Sequence, residues 1–312
     1  MSANFRNRIL IAGFLALISL HAHKVHGQVG TRASGMAGAF VAVADDATAV
    51  YWNPAGVATG SFVSVVLDAG QFEMAPRNPQ GLETHQDTSA VVALSATAIG
   101  LAYYRLGTYG KGVPESVVSG LQSREEVGRS VHAMTTHTSG VSLVQSLTDH
   151  IVIGVTPKLM RGAGRFAADV DAGVMAGAKR FRFGLVARNL TSPEFDGEDG
   201  AIELGRELRV GGAWGSGWTG SSRVIVSADA DVLSRAAADG DRRDVAAGVE
   251  TWWMSRRLGL RSGVRRSTIG GARAAVAAGI SAGLRPGMLV EAHVVRGHGA
   301  ERSWSIGARM TY

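Results

Sequence analysis

Two pairs of aspartates in the middle of the chain have members two residues apart. Any acid–base chemistry would have to be built from carboxylates with this spacing. Asp169 and Asp171 form one such pair, and Asp229 and Asp231 form another. Two neighbouring carboxylates can act as general acid and general base when one of them keeps its proton. Residues two apart are, however, neighbours on one face of any β-strand, so the pairs alone indicate only a polar strand face.

Motifs of the common catalytic classes give no support to an enzymatic function. The chain contains no P-loop and no His-Glu-x-x-His metal motif. His132 and His137 are five residues apart, which predicts solvated histidines rather than a metal site. His293, with Ser or Asp neighbours, could imitate the histidine of a barrel-embedded protease or lipase. We predict that the protein is not an enzyme and has no catalytic, cofactor-binding or metal-binding residue.

The composition and charge argue against nucleic acid as a partner. The 312 residues include 42 glycines and no cysteine, and 19% of them are charged. That share is below the roughly 25% of soluble domains. The net charge is +6, but the arginines are spread along the chain and form no basic stripe interleaved with aromatic residues.

The first residues have the character of a secretory signal peptide. Arg6 and Arg8 precede an apolar run over residues 9–20, and a more polar stretch follows. Residues of modest or small size at the −3 and −1 positions predict cleavage before Gln28. The alternative is a transmembrane anchor, but a spanning helix needs roughly 20 apolar residues, more than this run supplies. We predict that residues 1–27 are a signal peptide and that the chain is exported.

The remainder alternates apolar and polar residues with the period of a β-strand. Such strands suit a closed barrel in lipid, because apolar side chains can face outward and polar ones can face the lumen. We predict an all-β fold in which residues 61–312 form a transmembrane antiparallel β-barrel of about 14 strands. The predicted strands are approximately 61–72, 87–95, 98–106, 137–147, 150–161, 168–178, 181–190, 206–215, 222–233, 243–253, 258–266, 273–284, 287–296 and 302–312.

The connections between these strands favour a barrel over a soluble β-sandwich. They alternate between tight turns and longer or more polar loops, as outer-membrane barrels alternate short periplasmic turns with longer external loops. The longer class is predicted at 73–86, 107–136, 162–167, 191–205, 234–242, 267–272 and 297–301. The longest loop, 107–136, contains a short amphipathic stretch that begins at Pro114. This loop is interpreted either as a lid at the outer mouth or as a decorated surface loop.

The final strand ends on an aromatic residue, Tyr312. An aromatic last residue resembles the C-terminal signal read by the bacterial outer-membrane assembly machinery. We therefore predict that Tyr312 is this signal and that the protein resides in the bacterial outer membrane.

The same alternation assigns a set of charged residues to the lumen. They are Asp169, Asp171, Arg182, Arg188, Arg209, Asp229, Asp231, Glu250, Arg261, Arg265, Glu291 and Arg309. Both signs occur on neighbouring strands, so cross-strand pairing would offset much of the cost of burying them. Two interpretations remain: a salt-bridged interior that stiffens the barrel and holds a plug, or a path for a polar or amphipathic ligand.

Residues 28–60 precede the first strand and are apolar enough to need burial, so we predict that they form a plug inside the barrel. Asp45 and Asp46 favour a helix start, because carboxylates are stabilised at a helix N-terminus. Asn53-Pro54 would end that helix, since a residue before proline avoids the helical region. The predicted plug residues are Gly35, Gly38, Phe40, Asp45, Asp46, Tyr51, Trp52, Asn53, Pro54 and Gly56.

Two runs of this segment carry a resemblance to a known family. Both resemble the N-terminal signature of PorV/PorQ-type outer-membrane proteins. The runs are Gly35-Met-Ala-Gly38-Ala-Phe40-Val-Ala-Val-Ala-Asp45-Asp46-Ala and Tyr51-Trp52-Asn53-Pro54-Ala55-Gly56. The Asn-Pro-Ala part is also similar to the hatch segment of the broader FadL-like transporters. The resemblance covers nearly the whole mature chain, and it implies a fourteen-stranded barrel with the N-terminal segment folded inside it.

The resemblance implies two kinds of function. PorV-type members are components of type IX protein secretion, which makes an interaction or secretion-associated role the first expectation, with secretion-system proteins or secreted cargo as partners. FadL-like members pass hydrophobic compounds through the plug and a lateral wall opening, so a channel for small hydrophobic solutes is the alternative. Both roles imply contact with outer-membrane lipid and with the barrel-assembly machinery.

Overall fold

The structure is a computed structural model, and it describes residues 29–74, 85–112, 131–197, 200–237, 241–270, 273–298 and 301–312. The predicted signal peptide and Pro114 lie outside these residues. The strands are β1 (Val63–Met74), β2 (His85–Ala96), β3 (Ile99–Gly112), β4 (Val131–Ser146), β5 (Ile151–Gly162), β6 (Arg165–Ala178), β7 (Phe181–Arg188), β8 (Glu194–Gly197), β9 (Gly200–Glu203), β10 (Glu207–Gly215), β11 (Arg223–Asp231), β12 (Asp244–Trp253), β13 (Leu258–Ser267), β14 (Ala274–Arg285), β15 (Met288–Gly297) and β16 (Arg302–Thr311).

Fourteen of these strands close into an antiparallel barrel. Each long strand pairs with the long strands that precede and follow it in the chain, with β7 beside β10. β1 pairs with β16, from Ser64 opposite Thr311 to Glu73 opposite Arg302, and this pairing closes the sheet. An even number of strands lets the first and last strands run antiparallel. The predicted all-β fold with an antiparallel barrel of about 14 strands is confirmed, and each of the fourteen predicted strands has its counterpart.

The two faces of the barrel wall have opposite chemistry. Large apolar side chains face outward, for example Phe183, which is 59% exposed, and Val264, which is 55% exposed. Charged side chains such as Asp171 and Glu250 face inward and are fully buried. The alternation along each strand produces this division, because successive side chains point to opposite faces of a sheet. No helix among the described residues has the length and apolar character needed to cross a membrane.

The barrel has two rims, which we name by their connections. The turn rim carries the connections at 97–98, 147–150, 179–180, 216–222, 254–257 and 286–287, together with the start of β1 and the end of β16. Here Tyr312 exchanges backbone hydrogen bonds with Val63 and is 74% exposed. The loop rim carries the other connections between the long strands.

Two connections at the loop rim differ from the expectation. The predicted longer loop at 162–167 is a two-residue turn, because β5 extends to Gly162 and β6 begins at Arg165. Ala163 and Gly164 both have positive φ, the combination that matches the twist of a tight hairpin. The predicted loop at 191–205 contains the hairpin of β8 and β9, and β9 pairs with the end of β3.

Residues 29–60 lie against the inward faces of strands around the barrel. They contain helix α1 (Thr31–Gly35), helix α2 (Ala49–Trp52) and a 3-10 helix (Pro54–Thr59). α2 begins later than the predicted start at Asp45 and Asp46, and Asp46 accepts a hydrogen bond from Thr48 N at 3.0 Å. Asn53 is extended, as expected before proline, and its side chain accepts from Ala55 N.

Close backbone approaches hold this segment against the wall. A Cβ atom at Gly154 on β5 would lie 2.5 Å from Ala55 N, and one at Gly248 on β12 would lie 2.9 Å from Met36 O. Glycine is therefore the residue that lets the segment pack directly on the strand backbones. Phe40 and Trp52 are buried in the same cluster, with ring centroids 5.9 Å apart.

Candidate functional site

Buried ion pairs connect the N-terminal segment to the barrel wall. Arg32 donates from Nε and Nη2 to the two carboxylate oxygens of Glu250 on β12, at 2.7 and 2.6 Å. Its Nη1 donates to Asp46 at 3.1 Å and also to Asp45. Arg32 is 3% exposed and Glu250 is fully buried. Solvent therefore does little to screen the bidentate ion pair between them.

These contacts belong to a closed ring of alternating charges. Arg261 donates to Glu250 at 2.7 Å and to Glu291 at 2.8 Å. Arg309 donates to Glu291 at 2.9 Å and to Asp46 at 3.3 Å. The ring, which we call the ion ring, consists of Arg32, Glu250, Arg261, Glu291, Arg309 and Asp46. Each charge has an opposite charge on both sides, which offsets the free energy of removing it from water.

The pKa of Asp45, beside the ion ring, responds to the same charges. Burial by itself raises the pKa of this carboxyl, but the guanidinium groups of Arg32 and Arg182 outweigh burial and lower the pKa from 3.8 to about 2. The pKa of Arg32 is raised, because the attraction of the carboxylates exceeds the effect of burial. Both members of this pair therefore stay charged at neutral pH.

A second set of contacts anchors the segment to β10 and β11. One carboxylate oxygen of Asp229 accepts from the backbone N–H groups of Phe40 and Val41, at 2.7 and 2.9 Å. Arg209 donates to the carbonyl of Gly38 at 3.1 Å and to Asp231 at 2.6 Å. The carboxylates of Asp229 and Asp231 therefore bind backbone N–H groups and Arg209. Among the described residues, neither carboxylate contacts a serine or a histidine side chain.

The other predicted lumen charges pair near the two rims. Lys158 lies 2.7 Å from Asp171 and 3.0 Å from Asp169. Arg188 lies 2.5 Å from Glu207, Arg182 lies 3.6 Å from Asp45, and Arg265 pairs with Glu301. The structure thus places every predicted lumen charge inward and beside an opposite charge.

Arg32 is the functional candidate that sequence reasoning missed. It is the only basic residue among residues 28–60, which also contain Asp45 and Asp46. A lone arginine in a segment that must be buried needs carboxylate partners, and this signal could have identified it.

A cavity of about 310 Å³ opens at the loop rim above the N-terminal segment. Its lining combines the aromatic rings of Tyr51, Tyr104 and Tyr109 with the polar heads of Lys158 and Arg188. The Arg188 guanidinium lies 4.4 Å from the ring centroid of Tyr51. The rest of the lining is largely polar and includes Thr136, Glu203 and Arg206. The cavity therefore offers aromatic surface and charged groups together, and its volume is at the small end of the usual range for ligand pockets.

The pairing between β4 and β5 is interrupted within the wall. Opposite residues pair from Thr136 to Gly140 and again from Leu143 to Ser146, in one unchanged register, but not at 141 and 142. Pro157 faces this gap, and proline has no N–H to donate to a neighbouring strand. The hydroxyls of Ser142 and Thr156, which lie 2.7 Å apart, bridge the gap on the inner side.

A recess of about 820 Å³ lies on the outside of this gap. Outward-facing Leu101, Val141 and Leu159 form part of its lining, and inward-facing Lys158 and Asp169 also line it. A second external recess, of about 560 Å³ over β12–β15, also has residues of both faces in its lining, for example Leu260 and Arg261. The recess at the gap is distinguished from it by the missing strand pairs at 141 and 142.

His293 does not assemble a catalytic triad among the described residues. Its Nδ1 lies 2.8 Å from Ser305 Oγ and its Nε2 lies 3.4 Å from Ser303 Oγ, so both nitrogens face hydroxyls and neither faces a carboxylate. Residues 279–283 have the Gly-x-Ser-x-Gly spacing of a nucleophile elbow, but they lie within β14 and not at a strand-to-helix turn. No cluster of potential metal ligands occurs in the described part of the chain.

Several solved structures share this fold. The Pseudomonas aeruginosa FadL homologue is 11% identical, with a TM-score of 0.56, and the match covers 93% of this chain and 99% of that chain. The P. putida toluene transporter TodX is 10% identical, with a TM-score of 0.59 over 93% and 99%. The Ralstonia pickettii toluene transporter TbuX is 10% identical, with a TM-score of 0.58 over 92% and 99%. At these identities the likeness shows the fold alone, which this chain shares with FadL-like barrels, and it does not bear on PorV/PorQ specifically.

Sequence comparison assigns the chain to a different named family. Among curated proteins, no match was found. Residues 18–231 match the profile of one protein family, which is more than half of the chain. The chain belongs to the family described as "F plasmid transfer operon, TraF, protein".

Proposed function

We propose that the protein is an outer-membrane barrel that passes small hydrophobic solutes from the loop rim through its wall into the membrane. The observation that carries this proposal is the interrupted β4–β5 pairing at Pro157, between a lumenal cavity and an apolar external recess. The outward apolar belt supports placement in lipid. Three barrels of the same fold are described as toluene transporters or as a FadL homologue.

In this function the solute enters the cavity at the loop rim, where the tyrosine rings replace water around an apolar molecule. The solute leaves through the wall between β4 and β5. Parting these strands breaks the hydrogen bond between Ser142 and Thr156, but residues 141 and 142 have no backbone pairing with β5 that must be broken. Along β13 and β14, a similar opening would break a continuous ladder of backbone hydrogen bonds. Parting β4 and β5 at the gap therefore breaks fewer backbone hydrogen bonds than parting those two strands.

Residues 28–60 act as a plug in this proposal. The ion ring and the Asp229 contacts fix the segment to β10–β13, β15 and β16, on the far side of the barrel from the gap. The contact with β5 and β6 is made by Asn53 and Pro54, which fill the space beside Gly154 and Gly173. The plug thereby blocks straight passage along the barrel axis. Its 3-10 helix also packs on β4 and β5, and Val50 lies beside Gly140 next to the gap, so passage through the gap requires this part of the plug to move.

A disulfide across the gap tests the lateral route. The chain has no cysteine, so Ser142→Cys with Thr156→Cys introduces the only candidate pair. Oxidation is expected to abolish most of the uptake of a radiolabelled monoaromatic hydrocarbon by bacterial cells that express the chain, and reduction should restore it. The matched control is Ser262→Cys with Ala278→Cys, opposite residues in the uninterrupted β13–β14 pairing. Equal uptake by oxidised and reduced gap variant would refute the lateral route.

A second candidate is an interaction or secretion-associated role of the PorV/PorQ type. Two observations favour it: the extensively ion-paired N-terminal segment, which fixes the barrel interior, and a family whose description refers to a plasmid transfer operon. Affinity purification from mild detergent should then recover stable protein partners. Recovery of the isolated barrel alone would count against this role.

A further inference from the structure

Three basic side chains stand side by side on the outer face of the barrel near the loop rim. Arg105 on β3 lies directly opposite His137 on β4, and His137 lies directly opposite Arg161 on β5. The outward alternation of these strands brings all three to the same face. We call them the basic row. Arg105 also donates to the backbone carbonyl of Thr88 at 2.6 Å. His137 separates the two guanidinium groups, and its imidazole can take up a proton when an anion lies beside it.

The contacts of Arg161 and His137 differ from those of the charges in the lumen. The lumen charges pair with carboxylates, as in the ion ring. Arg161 instead lies over the ring of Phe166, 5.5 Å from its centroid, and forms no ion pair within the described part of the chain. His137 Nδ1 contacts the hydroxyl of Tyr103 at 2.8 Å. These contacts position the side chains without neutralising the arginine.

A recess is built around this row. It has a volume of about 560 Å³, and its lining includes Tyr103, His137, Arg161 and Phe166 but no carboxylate among the described residues. The two-residue turn of Ala163 and Gly164 borders the recess on the side of the loop rim. Because that turn is short, no long loop from this hairpin covers the row from above.

The surface changes from basic to apolar on moving away from the loop rim. The next outward rank contains Tyr103, Ser139 and Leu159, and the rank after it contains Leu101 and Val141. Leu101 and Leu159 are 45% and 51% exposed. A phosphorylated lipid has the same order, with an anionic headgroup at the interface and acyl chains below it.

We infer that the basic row and its recess bind a phosphorylated lipid of the surrounding leaflet, with a headgroup phosphate between His137 and Arg161 and an acyl chain along Leu159, Leu101 and Val141. A free phosphate would satisfy the charges but would leave the apolar ranks unused. A lipid uses both, so a lipid is the occupant that this surface fits. The inference needs the outer-membrane placement but not the lateral solute route.

The test measures lipid binding to the full barrel in detergent by native mass spectrometry. The probes are diphosphorylated lipid A, its dephosphorylated form, and inorganic phosphate. Arg161→Gln is expected to weaken lipid A binding about fivefold, and Arg161→Gln with His137→Gln further still, since each basic residue near an anionic surface contributes about 1 kcal/mol. Arg161→Lys should retain most of the binding, which separates loss of charge from a failure to fold.

The matched control is Arg285→Gln, an exposed arginine of β14 at the turn rim. This variant should bind lipid A as tightly as the unaltered chain. The inference would be overturned by equal affinity for phosphorylated and dephosphorylated lipid A, by unchanged binding in the double variant, or by inorganic phosphate that competes as strongly as the lipid. Each of these results leaves the disulfide test of the solute route unaffected.

Discussion

Replacing Arg32 with methionine removes the one basic residue that the N-terminal segment contributes to the ion ring. The three carboxylates Glu250, Asp46 and Asp45 lose a partner at once. Removing one member of a buried ion pair costs about 3–5 kcal/mol, because an uncompensated charge remains. Glu250 keeps Arg261 and Asp46 keeps Arg309, so we expect a loss near the lower end, about 3 kcal/mol.

The balanced variant separates charge imbalance from lost packing. Arg32→Met with Glu250→Gln removes one charge of each sign, and methionine replaces most of the apolar stem of arginine. The double variant should therefore lose less stability than the two single variants together, with a coupling energy of about 1–3 kcal/mol. An exposed ion pair supplies the control. Lys111 and Asp241 are 2.9 Å apart, and Lys111→Met should lower the free energy of unfolding by at most about 1 kcal/mol.

Two measurements on the barrel in detergent report the outcome. Urea unfolding, followed by the electrophoretic shift of the folded barrel, gives the free energy of unfolding. Hydrogen exchange of residues 29–60 reports whether the segment detaches locally before the wall unfolds. If Arg32→Met changes neither quantity more than Lys111→Met does, the ion ring does not hold the segment and our reasoning is wrong.

Four further predictions concern the segment and the end of the chain. Deletion of residues 30–56 should raise solute flux in liposomes if the segment is a plug, whereas unchanged flux would contradict that role. Gly154→Val should displace the backbone at Ala55 and cost about 1–3 kcal/mol of stability, seen as faster hydrogen exchange of residues 29–60, while Gly205→Val, with open space around it and no positive φ, should not have this effect. Because the pKa of Asp45 is lowered to about 2, its contribution to stability is present at neutral pH and should be lost between about pH 4 and pH 2, measured by hydrogen exchange across that range. Removal of Tyr312 should reduce the amount of folded barrel in outer-membrane fractions without changing in vitro folding in detergent.

The barrel itself could be predicted because its evidence is local. A strand such as β16 shows its two faces within ten residues, and the end of a strand shows in its turn residues. The same local evidence placed Asn53-Pro54 at the end of a short helix, because the restriction before proline does not depend on distant residues. The two-residue turn at Ala163 and Gly164 was missed, because the polar residues around it resemble those of a longer loop.

The partners of the buried charges could not be predicted from local evidence. Arg32 and Glu250 are 218 residues apart, and Arg309 and Asp46 are 263 residues apart. Alternation tells which face a charge occupies but not which charge lies opposite across the lumen. The gap in the β4–β5 pairing belongs to the same class: Pro157 is visible in the sequence, but its neighbours on the facing strand depend on register.

The ion ring also implies an order of folding. Arg32 and Asp46 are made early, whereas Glu250, Arg261, Glu291 and Arg309 belong to the last quarter of the chain. The segment therefore cannot reach its final contacts until the last strands have been synthesised, and until then its arginine and aspartates lack their final partners. Docking of the segment and the pairing of β1 with β16 are thus expected to coincide as the last, slow step of biogenesis, since both join ends of the chain separated by a very long loop.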